Sequence, residues 1–129
     1  MSSYKELDVW KCSMNLSIYV YRVTSKFPTT ERFGLVDQMR RASVSISSNI
    51  SEGFGRGSDK ELIRFLYMAK GSSNELDTQT ELSKALTFLS KEEADTIINL
   101  NNRINKMITS LIYRRKNGLD SFDKTDIPF

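Results

Sequence analysis

Few residues in this chain can do chemistry. Histidine is absent and cysteine occurs once, as Cys12. That removes Ser-His-Asp and Cys-His nucleophile activation, the Glu-x-x-His ligands of di-iron bundles, and a zinc site built from Cys and His. A carboxylate-only Mg or Mn site stays open, but no acidic cluster demands one. We therefore expect no enzyme, no cofactor and no metal. What remains is cation chemistry, in three places: Arg40-Arg41, the run Gly53-Phe54-Gly55-Arg56-Gly57, and Arg114-Arg115-Lys116.

Each place has a binding reading and a structural one. Gly53, Gly55 and Gly57 precede a predicted helix start, where backbone amides and the helix dipole favour an anion. No strand precedes the run, and the Gly-Lys-Ser/Thr ending of a nucleotide loop is missing. A structural turn is the favoured reading. Arg56 then either holds one nucleic-acid phosphate or pairs with a carboxylate such as Glu52. Arg40 and Arg41 stand about 100° apart on a helix, so they cannot both face one groove equally. One reading gives them to RNA phosphates together with Arg22, Lys26, Arg56 and Arg64. The other gives Arg41 to Asp37, four residues earlier, or to an acidic neighbouring subunit face such as Glu75, Asp77 and Glu81. For Arg114, Arg115 and Lys116 a frayed, solvated helix end is preferred over phosphate contacts. Trp10, Tyr19, Tyr21, Tyr67 and Tyr113 read as core or subunit interface rather than base-stacking platforms. Cys12 reads as a core thiol, with no base to activate it.

Charge is uneven. The net charge of the 129 residues is +3. Residues 11–70 hold ten Lys/Arg against five Asp/Glu, residues 71–101 two against six, and residues 102–116 five against none. Two basic segments flank an acidic one, a pattern that points to an anionic partner or to solvated helix faces.

The elements that must position these residues are helices. With six glycines and two prolines in 129 residues, the chain reads as one domain with long uninterrupted stretches. Val9, Cys12, Leu16, Val20, Val23 and Phe27 form one helical stripe, and Leu7, Trp10, Met14, Ile18 and Tyr21 a second beside it. Two stripes make an apolar surface wider than one neighbour needs. From Glu31 onward Leu35, Met39, Ala42, Ile46, Asn49 and Gly53 step by four and three, a heptad seam with a polar residue at Asn49. The third seam is Leu62, Leu66, Ala69, Ser73, Leu76, Thr80 and Ser83, and the fourth Ala94, Ile97, Asn101, Ile104, Ile108 and Leu111. Ser58-Asp59-Lys60-Glu61 and Ser90-Lys91-Glu92-Glu93 read as capping boxes, and Asn117-Gly118 as a stop. The spacing predicts helices over about 7–26, 30–53, 58–89 and 91–115, an up-down-up-down antiparallel four-helix bundle over 1–116, and a loose tail over 117–129. The longest unbroken aliphatic/aromatic run, Ile18-Tyr19-Val20-Tyr21, is too short to span a bilayer. The start MSSYKELDVW lacks a signal core, so a cytoplasmic protein is expected.

The segments LDVWKCSMNL, FGLVDQMRRASVSISSNISEGFGRG, FLYMAKGSSNEL and ALTFLS, in this order, are long and specific. Over about Leu7 to Leu89 the chain resembles the four-helix-bundle family encoded by intervening sequences of bacterial large-subunit ribosomal RNA genes. The fourth helix matches only in length and periodicity, and Ser51 stands where the family more often has alanine. The resemblance implies a cytoplasmic bacterial protein that forms a ring-like homopentamer. It also implies kinship with accessory proteins of diversity-generating retroelements, which share the bundle and bind nucleic acid and a reverse transcriptase. The expected function is non-enzymatic association with RNA, ribosomal RNA included, through Lys/Arg–phosphate contacts. The alternative is a scaffold presenting its oligomeric surface to a protein such as a polymerase.

Overall fold

The computed structural model describes residues 3–119. Among them the chain forms four long helices and no strand: α1 Asp8–Thr24, α2 Leu35–Gly55, α3 Asp59–Ala85 and α4 Lys91–Lys116. Each packs on two others, α1 and α3 both touching α2 and α4. None is long and apolar enough to cross a membrane. The expected tail largely falls at 120–129, outside the described residues.

Periodicity decides what is buried. All seven seam residues of α3, from Leu62 to Ser83, are buried, and so are Ala94, Ile97, Asn101, Ile104 and Ile108 of α4. Ile112 rather than Leu111 takes the last buried apolar position of α4. The first stripe of α1 joins the same core, with Cys12 only partly buried. Most polar core residues are satisfied locally or across helices, whereas Ser17 Oγ and Gln79 Oε1 are buried without a hydrogen-bond partner among the described residues. Ser13 and Thr24 donate to Val9 O and Val20 O at 2.6 Å each. Asn101 Nδ2 donates to Ser73 O at 2.7 Å, and Ser73 Oγ donates to Asn101 Oδ1 at 2.8 Å.

Three helix boundaries and a second seam position, in α2, also differ from the sequence reading. Pro28–Thr30 do not start α2. Thr29–Glu31 make one 3-10 turn, and α2 begins at Leu35, where Glu31 Oε1 accepts from the Leu35 amide at 3.3 Å. Gly53 does not break α2. It lies inside the helix with Gly55, and only Gly57 of the three has positive φ, at 82°. Gly53 is buried because α3 crosses there: a Cβ on it would stand 2.9 Å from Phe65 Cβ and 3.0 Å from Leu62 Cδ1. α3 stops at Ala85 rather than Leu89, because Thr87 takes φ 65° and the Thr87 and Phe88 amides turn back to Lys84 O and Ser83 O. Asn49 is not in the seam. It is half-buried and donates back to Ser45 O at 2.8 Å, while Ile50 is fully buried in its stead.

The two N-caps separate. Ser90 and Glu93 form the complete reciprocal box. Ser58 accepts from the Glu61 amide at 3.2 Å, but Glu61 turns its carboxylate to Arg64 instead. Asn117 and Gly118, with φ 66°, end α4 as expected.

Candidate nucleic-acid interface

The structure gives most of the candidate cations a partner inside the chain. Arg40 lies half-buried at the α1–α2 contact. Its Nε donates to Thr24 Oγ1 at 3.0 Å and its Nη2 to Tyr21 O at 3.3 Å, with the guanidinium 4.5 Å from the Tyr21 ring centroid. A cation here satisfies the Tyr21 carbonyl in the last turn of α1 and meets the negative end of that helix dipole. Arg41, next in sequence, points outward and pairs with Asp37 at 3.0 Å, one helical turn earlier. Tyr21, Arg40, Arg41, Val44 and Ser45 line a shallow groove with Asp37 on its rim.

Arg56 and Arg64 converge on one ring. Their guanidinium carbons stand 4.8 and 4.6 Å from the Phe65 centroid. Each also keeps a carboxylate, Glu52 at 2.7 Å for Arg56 and Glu61 at 3.2 Å for Arg64. The hydrogen bond from Arg64 holds the Glu61 carboxyl below its ordinary value, and Glu61 in turn raises Arg64. Phe65 is buried although it lies outside the main core cluster, so the two arginines act partly as its lid.

Lys26, at the end of α1, pairs with Glu93 in the first turn of α4. Arg22 is exposed and has no carboxylate partner among the described residues. Arg115 is a correction to the solvated-end reading. It is 3% exposed, donates from Nη1 to Asp59 Oδ1 at 3.0 Å, and sits 5.9 Å from the Phe54 centroid. Arg114 is exposed, and Lys116 donates to the Tyr67 hydroxyl at 2.9 Å.

Two exposed cations escaped the sequence reading. Arg103 and Lys106 point outward from α4 and form no ion pair among the described residues. Their signal in the sequence is the acid-free run 102–116. Among the described residues no group of three or more His, Cys, Asp or Glu could hold a metal.

Apolar surface also stays open. The second stripe of α1 is uncovered at Met14, Ile18 and Tyr21, with Ile18 53% exposed, and Val44 of α2 lies open as well. Trp10 and Tyr19 are partly buried against the core, whereas Tyr67 and Tyr113 are exposed.

Comparison with known proteins adds the family context. The profile of a family described as 23S rRNA-intervening sequence protein matches residues 5–110. The fold is similar to a crystal structure of a protein with unknown function from the S23 ribosomal protein family from Bacteroides thetaiotaomicron VPI-5482. The TM-score is 0.73 at 25% identity, covering 81% of this chain and 97% of that one. No curated protein matches the chain in sequence.

Proposed function

The chain belongs to the 23S rRNA-intervening sequence protein family, and from that premise we propose that it is a non-enzymatic, cytoplasmic RNA-associated protein. It holds RNA phosphates with exposed Lys and Arg side chains and acts as an oligomer of antiparallel four-helix bundles. The observation that supports this most is the charge separation. Residues 102–116 carry five cations and no acid, whereas the candidate cations of α2 and α3 are largely neutralised by Asp37, Glu52 and Glu61. Ribosomal RNA is the first ligand class to test, because the family takes its description from it. A ring, the arrangement implied by the resemblance, would repeat a weak local site several times and raise its avidity.

Titration of nuclease-treated protein with labelled RNA and DNA at several salt concentrations, with native mass determined in the same samples, tests this. The expected result is binding by a defined oligomer with affinity falling steeply as salt rises. Absence of binding at low salt refutes it.

A second reading is favoured by the open apolar stripe of Met14, Ile18 and Tyr21. Such a surface suits a neighbouring subunit or a protein partner, a polymerase among them. A partner protein copurifying without nucleic acid would support this scaffold reading.

A further inference from the structure

We propose that the outward face of α4, together with the cleft between α3 and α4, is a binding site for single-stranded RNA. This inference rests on the RNA-binding reading and names the site and the form of the ligand.

Asn99, Asn102, Arg103, Lys106, Ser110 and Tyr113 are all exposed. At 100° per residue their spacing places them within one arc of the helix, spread over about 21 Å at 1.5 Å per residue. Residues 96–119 contain no Asp or Glu. The face therefore differs from the ion-paired cations of the other helices. Arg41, Arg56, Arg64, Lys26 and Lys91 each hold a carboxylate of this chain, while Arg103 and Lys106 hold none. A cation that releases counterions to a phosphate gains most where no carboxylate competes for it.

Beside the strip lies a polar cleft of about 330 Å³. Its walls carry the carboxamides of Asn74, Asn101, Asn102 and Asn105, the Asp77 carboxylate and the Lys106 ammonium. Asn101 and Asn105 are committed to Ser73. Asn102 makes no hydrogen bond within the described chain, so its donor and acceptor are both open. Paired amide groups match the edge of adenine, and a carboxylate accepts from the amino group of cytosine. Lys106 belongs to both the strip and the cleft, so a phosphate on it brings the adjoining base to the carboxamides. Tyr113, 61% exposed, offers a stacking surface farther along the same face.

This combination selects a single strand. Bases in an RNA duplex are paired and its deep major groove admits no side chains, so a duplex would meet this face through phosphates and 2′-hydroxyls and seat no unpaired base in the cleft.

The test is fluorescence anisotropy with the full chain, a labelled single-stranded RNA and the same sequence as duplex. The parent is expected to prefer the single strand. Arg103→Ala with Lys106→Ala should weaken binding at least about tenfold and lower the salt slope by about 1.4, at roughly 0.7 per phosphate on a single strand. Asn102→Ala should shift preference among homopolymer strands and leave the salt slope unchanged. Arg41→Ala should behave as the parent. If the parent binds RNA and the α4 double variant binds equally well, this site is wrong and the broader reading stands. If the parent binds no RNA at low salt, both fall. Displacement of RNA by poly-glutamate at equal charge, or a changed native mass in the α4 variant, also overturns the proposal. The first would mark an unselective cation surface, the second a subunit contact.

Discussion

Arg115, in the last turn of α4, is buried and donates at 3.0 Å to Asp59, the first residue of α3. The pair ties the end of one helix to the start of another. The acid sits where the α3 dipole favours it and the cation where the α4 dipole does. The guanidinium also packs over Phe54. Arg115→Met keeps the stem and removes the charge, leaving Asp59 partly buried without this donor. We expect a loss of about 2–3 kcal/mol, the low end for a broken buried pair because Asp59 is partly exposed. An unchanged urea midpoint would show the pair to be dispensable.

Gly53 and Gly71 both lie inside helices, and alanine should act on them with opposite sign. Helical propensity alone favours alanine by about 1 kcal/mol. At Gly71 a Cβ meets nothing within 4 Å, so Gly71→Ala should stabilise by about 0.5–1 kcal/mol. At Gly53 the Cβ meets Phe65 and Leu62 at 3.0 Å or less. The overpacking forces α2 from α3, for a net loss of about 1–2 kcal/mol. Chemical denaturation of the two variants side by side checks the sign.

Thr87 holds φ 65° at the end of α3. A β-branched residue is strained in that region and glycine is not. Thr87→Gly should raise stability by about 1 kcal/mol, because the left-handed cost is removed while the loop's backbone hydrogen bonds remain. A lower melting temperature would contradict this.

Glu93 couples the α4 cap to the end of α1. Its burial raises its pKa, but the hydrogen bond from Lys26 and those at Ser90 together outweigh this and hold it below the ordinary value of 4.5. A carboxyl depressed in the folded state contributes stability that is present above its unfolded pKa. That contribution is lost as pH falls from about 4.5 through the lower folded value. Glu93→Gln keeps a side chain able to complete the capping box but cannot titrate. Its stability should fall less steeply with acid below about pH 4.5 than the parent's, and parallel curves would count against the linkage.

Ser73 and Asn101, both buried, exchange two hydrogen bonds at the α3–α4 contact, beneath the polar cleft. Asn101→Ala takes away the acceptor of the Ser73 hydroxyl proton and the donor to Ser73 O, and opens a void, costing about 2 kcal/mol. A double-mutant cycle with Ser73→Ala should show coupling of about 1 kcal/mol or more. Additive losses would mean the two residues act independently.

Much of the fold was legible because burial in a helix is a one-dimensional pattern. The α3 seam from Leu62 to Ser83 and the Ser90 cap follow from spacing and local chemistry alone. So does the second α1 stripe, which the isolated chain leaves partly open. Other features depend on what another helix brings to the position. Gly53 read as a breaker because glycine is locally permissive, yet Phe65 and Leu62 are why it stands inside a helix. Thr87 gave no sign of ending α3, since a left-handed residue usually announces itself as glycine or asparagine. The cations show the same division. Their sign and the acid-free segment are properties of the sequence itself, set by side-chain chemistry. Which of them are available to a ligand is decided by the tertiary structure, because pairing and burial are distances between residues far apart in the chain. Folding took Arg115 into the interior against Asp59 and bound Arg40 to the end of α1, and it left Arg103 and Lys106 facing outward.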